Sequence, residues 1–116
     1  MLLTSLTLAF LSGSFYLERP HLTIAQGMVE SGMNQYAVGK SGEKGAWQVL
    51  EKHWGKVPKK LHEQAKQSEK IINELLAESR NDLYTAIIKY NGSGNKAVRY
   101  AQIVRKRTFE RILLKV

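Results

Sequence analysis

The stretch from Glu30 to Gln48 holds residue types and spacings suited to acid chemistry. Glu30 closes an apolar helical pattern, and glycines follow at 39, 42 and 45, a spacing that lets backbone approach a bulky ligand closely beneath the acid. A glutamate in the last helical turn sits at the negative end of the macrodipole, which disfavours its ionised form; burial against apolar groups raises its pKa further. A general acid working at neutral pH needs such a shift, because an ordinary glutamate is almost wholly ionised there. Gln48 carries a donor and an acceptor, suited either to a polar ligand or to a bond back into its own loop. Trp47 offers a flat apolar surface, for the core or for lining a ligand site. Glu43, between loop glycines beside Lys44, reads as solvent-exposed, and Glu51 follows the loop; neither is persuasive as a second carboxylate.

Helices must position these groups. Pro20 suits a first helical position, where its missing N–H costs nothing, and Leu22, Ala25 and Val29 with Ile24 and Met28 continue a broad apolar stripe to Glu30. Gly32 suits the C-cap. Gly27, three residues before Glu30, leaves space for a ligand or for a packed neighbour. Residues 53–58 read as a basic, irregular connector. Leu61, Ala65, Ile71, Ile72, Leu75 and Leu76 mark an amphipathic helix over 61–79. Asp82 caps the next, whose inner side holds Leu83, Ala86, Ile87 and Tyr90. Glycines at 92 and 94 break it, and Asn95 is placed to cap a last helix with Val98, Ala101, Val104, Phe109, Ile112 and Leu113 inward. The expected fold is all-α, a single domain over residues 1–116.

Glu30, Ser31, Asn34, Ala37, Gly42, Gly45 and Gln48 together resemble the signature of the lytic transglycosylases. A second block, Ala86 to Val104 with Tyr90, Asn91, Gly92, Ser93 and Gly94 and then Arg99, Tyr100 and Ala101, resembles a later element of that family. The similarity spans roughly residues 17–105. It implies a lysozyme-like domain in which Glu30 cuts the β-1,4 bond between N-acetylmuramic acid and N-acetylglucosamine of peptidoglycan, leaving a 1,6-anhydro end. It further implies that Ser31 orients the acid or its loop, that Tyr90 hydrogen-bonds near Glu30 or the acetamido group, that Asn91 holds the loop or the sugar, that Gln48 meets an N-acetyl group or hydroxyl of the sugar, and that Trp47, which could line the sugar site, stands where the family usually has methionine. Many members carry serine nine residues after the acid; this chain has Gly39. Goose-type lysozymes share much of the architecture and hydrolyse the same bond with water, so hydrolysis is the alternative outcome. The expected partners are glycan strands and an envelope-spanning or virion complex, in a bacterial periplasm or cell envelope or on a virion.

Hydrophobic content of 43% with 24% charge suits a globular chain. The absence of cysteine excludes disulfides and thiol chemistry, and His21, His53 and His62 are too scattered for a local metal site; the resemblance likewise implies neither a metal nor an organic cofactor. Charge is uneven: eight of the 18 Lys and Arg lie in 89–116 against Glu110 alone. A different class of function, a non-catalytic binder of envelope polymer or nucleic acid through Lys89 to Lys115, follows from that face. Intact Glu30, Ser31, Gln48 and Tyr90 argue against it. Met1 to Tyr16 is apolar and uncharged, lacks a basic start and is too short to span a bilayer comfortably; it reads as a buried first helix rather than a signal or anchor.

Overall fold

Pro20 opens the first helix of the computed structural model, which describes residues 16–113. Helix α1 (Pro20–Ser31) has no side-chain N-cap; instead the Arg19 N–H donates to Glu69 Oε2 at 2.9 Å, and the Arg19 guanidinium donates to Asn73 Oδ1 at 2.8 Å. At the other end Gly32 takes a left-handed φ of 66°, and the Gly32 and Met33 N–H groups close on the Met28 and Gly27 carbonyls. Glycine fits there because a β-carbon would be strained.

The remaining helices among the described residues are α2 (Glu51–Trp54), α3 (Leu61–Glu78), α4 (Leu83–Asn91) and α5 (Gly94–Leu113). The fold is mainly α, as the helical spacings predict. The described strand-like structure is limited to two isolated antiparallel bridges, Val38 with Lys44 and Lys44 with Val49, inside the loop joining α1 to α2. Helix α1 packs on α5 and α3, while α4 lies against both α3 and α5. One core cluster gathers Leu17, Ile24, Trp47, Val49, Ile71 and Leu75 beneath the loop; a second gathers Leu22, Ile72, Ile87, Tyr100, Ala101 and Val104 between helices. Tyr90 packs against both.

Several expectations are corrected. The connector read as irregular begins inside α2, a single turn that takes in His53 and Trp54 and whose Gly55 N–H closes on the Glu51 carbonyl. Asn95 does not cap α5: the helix already includes Gly94, whose φ is 83°. Phe109, Ile112 and Leu113 do not face inward but are 54%, 42% and 68% exposed. The reason is length. Twenty residues of α5 extend about 30 Å, whereas the 12 of α1 cover about 18 Å, so the apolar period outlasts the surface that the described helices offer to bury it. The first helix expected over Met1 to Tyr16 lies outside the described residues, apart from Tyr16 itself, which is exposed. Among the described residues no helix is long and apolar enough to cross a membrane.

Candidate active site

The loop after α1 is held in place by buried polar side chains. Gln64 on α3 accepts from the Ala46 N–H at 2.9 Å and donates to the carbonyls of Pro58 and Gln35 at 2.8 and 3.1 Å. Gly45 lies against that amide: a β-carbon there would meet Gln64 Oε1 at 2.7 Å, and its φ of 82° is itself left-handed. Ser31, in the last turn of α1, donates its hydroxyl to the Ala46 carbonyl at 2.7 Å and accepts from the Asn34 N–H at 2.9 Å. The helix end carrying the acid is thereby bonded to the loop facing it. Tyr90 supplies the tie from α4, donating to the Trp47 carbonyl at 2.9 Å while accepting from Ser68 at 3.4 Å.

Glu30 stands half-buried at this junction. Burial strips water from its carboxylate and pushes the pKa up to about 7; the negative charge of Glu43 adds to the rise, and a hydrogen bond from Tyr100 opposes it. Tyr100 is buried on α5 and accepts from Gln26 Nε2 at 3.2 Å, leaving its hydroxyl proton for Glu30. Burial first, then the charge of Glu30, raises the Tyr100 phenol and keeps it a donor. The acid thus keeps its proton to far higher pH than an ordinary glutamate, with the Tyr100 phenol as a hydrogen-bond donor to it.

Of the residues singled out in the sequence, Glu30, Ser31, Gln48 and Tyr90 belong to this one assembly of helix end, loop and α4. Gln48 Nε2 donates to the Gly45 carbonyl at 3.0 Å, so its donor serves the loop, and its φ of 51° is left-handed. Of the two readings of Trp47 the core one holds and the ligand-lining one does not: it is 1% exposed and its indole N–H donates to the Thr23 carbonyl at 2.7 Å. The space left by Gly27 goes to packing as well, since a β-carbon would meet the Met33 side chain at 2.8 Å and the Trp47 ring at 3.0 Å. Asn91 is exposed at the end of α4 and takes no part in these bonds. Glu51 is bound elsewhere, paired with Lys44 at 2.9 Å and accepting from the Val57 N–H at 2.8 Å. Glu43 is half-buried, not the exposed loop residue expected.

Sequence reasoning missed Gln26, Gln64 and the contact of Tyr100 with the acid. A tyrosine in register with Ala97, Ala101 and Val104 is a signal for the last, because a buried phenol requires a partner. Among the described residues no group of three or more His, Asp or Glu is placed to hold a metal ion. No family model, curated protein or solved structure matches the chain.

Proposed function

We propose that the chain is a peptidoglycan lytic transglycosylase with Glu30 as its single acid and base. The observation that carries this is Glu30 itself: a half-buried carboxyl raised to about 7, at a helix end bonded to a glycine-rich loop, with a phenol donor against it. In the reaction the protonated carboxyl gives its proton to the oxygen linking muramic acid to glucosamine as the C1–O bond breaks. The acetamido oxygen of the muramic residue attacks C1 and closes a cyclic intermediate, a form of substrate assistance. The Glu30 carboxylate then takes the proton of the C6 hydroxyl, whose oxygen displaces the acetamido oxygen at C1. Glu30 is reprotonated, no water is consumed, and the product ends in 1,6-anhydromuramic acid. Positioning makes this internal attack competitive with water. Hydrolysis by the same acid is the second reading, favoured by one observation: Glu43 lies close enough to Glu30 to repel it.

The exposed Arg105, Lys106 and Arg107 on α5 fit adsorption to an anionic wall polymer or to a partner in the envelope or virion. Digestion of purified sacculi followed by mass spectrometry is the test. Fragments one water lighter than hydrolysis products, without reducing muramic ends, are expected. Reducing ends would turn the reading to a muramidase, and intact sacculi would remove both.

A further inference from the structure

Gly39 lacks a side chain, and the space beside it is taken. A β-carbon at Gly39 would meet the Glu43 carboxyl and, at 2.6 Å, the Gln48 amide oxygen. Backbone conformation does not demand glycine here, since Gly39 is absent from the positive-φ glycines that include Gly42 and Gly45. It is room that the position supplies. The loop then fixes what occupies that room: the Gly39 N–H donates to the Glu43 carbonyl at 2.8 Å, and the Ser41 N–H donates to Glu43 Oε1 at 2.7 Å. On the other side, Gln48 spends its amide donor on the Gly45 carbonyl, which turns its oxygen toward Gly39. Lys44, next in the chain to Glu43, is committed to Glu51. Two acceptor oxygens therefore converge on one point of the loop, and Glu43 is near enough to Glu30 to be felt by it.

We propose that the Glu43 carboxylate and the Gln48 amide oxygen, brought together over Gly39, receive a hydrogen-bond donor of the N-acetylated sugar lying against Glu30. This rests on the glycan-cleaving reading of the site and adds to it a substrate contact. The chemistry is complementary: both groups present oxygen lone pairs, and a sugar offers hydroxyl and acetamide N–H donors. A bond to a charged acceptor supports about a tenfold difference in affinity.

The test uses ¹⁵N-labelled full-length Glu30→Gln protein titrated with a tetramer of N-acetylglucosamine. Shifts at the Gly39 backbone amide and the Gln48 side-chain amide are expected, with affinity falling about tenfold when Glu43→Gln or Gly39→Ala is added. Gly39→Ala is a gentle probe, because the atoms that it displaces are the ends of flexible side chains; circular dichroism checks that the helices persist. A glucose tetramer, which lacks the acetamide, separates the donors: retained shifts indicate a hydroxyl, lost shifts the N–H. In the cleaving protein, Glu43→Gln should raise KM about tenfold and leave kcat within about threefold. Unchanged affinity in both variants, or shifts confined to other surfaces, would overturn the proposal. A collapse of kcat with KM kept would also overturn it, making Glu43 a group that acts on the reacting atoms. Glycan binding at Gly39 by a protein that leaves sacculi intact would sink the enzymatic reading and leave this contact standing.

Discussion

Glu30 and Glu51 bracket the same loop and have opposite electrostatic environments. Glu30 ends α1, where burial removes water and Tyr100 is its hydrogen-bond donor, and its pKa rises to about 7. Glu51 begins α2, where the Lys44 ammonium and then the Val57 N–H hold its carboxyl below the ordinary range. The two side chains are chemically identical. What separates them is what each carboxylate receives in exchange for water: one gains a cation and a backbone donor, the other a phenol and apolar walls. A sequence motif marks a glutamate; the difference between a proton donor and a loop fastener lies in these partners.

Removing the acid should break the contrast most severely. Glu30→Gln keeps the shape and cannot donate a proton, so glycan cleavage is expected to fall by ~10² to 10⁴ while the helical circular dichroism is unchanged. Wild-type activity should itself decline as pH rises through about 7, where Glu30 loses its proton. The sign for stability follows the same direction. Because the folded pKa lies above the unfolded value, the native state binds the extra proton between about 4.5 and 7, and stability should fall across that window. Allowing for partial exposure, the loss is about 2 kcal/mol, and thermal melts of Glu30→Gln at pH 5 and pH 8 should lack it.

Tyr100→Phe comes next. It removes the phenol that favours ionised Glu30, so the alkaline limb of the activity profile should move to higher pH, read from kcat across pH 6 to 9. Gln26, fully buried, would lose its acceptor, at a cost of about 1–3 kcal/mol measurable by urea unfolding. Unlike this change at the acid's own donor, Ser31→Ala acts on the bond between helix end and loop. A loss of about 1 kcal/mol in stability is expected, with kcat falling more than the melting temperature would suggest. Glu51→Gln is the smallest. Its folded pKa is lowered, so its contribution is present at neutral pH and disappears as pH falls through the depressed value, opposite in sign to Glu30. Cleavage should stay near wild type; a drop comparable to that of Glu30→Gln would abolish the distinction drawn between them.

The bounds of α1 were legible because Pro20 and Gly32 act locally, through a fixed φ and a left-handed cap. Asp82 was legible for the same reason, accepting from Thr85 in the first turn of α4. The acid's position in a last turn followed from its spacing after the apolar stripe. Its donor did not, since Tyr100 and Gln26 are 74 residues apart and no periodicity reports what meets across a bundle. Gln64 was hidden for another reason: hydrophobic patterning marks buried apolar residues, and here an amide takes a buried place on α3 in order to bond the loop. Phe109, Ile112 and Leu113 failed in the opposite sense, because their period continues past the described helices that pack on α5.

Trp47 has a consequence beyond packing. Its ring is enclosed, its N–H is bonded to the Thr23 carbonyl of α1, and its own carbonyl is held by Tyr90. Its fluorescence should therefore emit to the blue, and shift red when the loop leaves the helix, whereas the far-ultraviolet signal follows the helices themselves. Trp54 is only partly buried, so Trp54→Phe isolates the enclosed indole. If the two signals change at the same denaturant concentration, loop and bundle form one cooperative unit; an earlier red shift would place the loop in a separate unit that opens on its own.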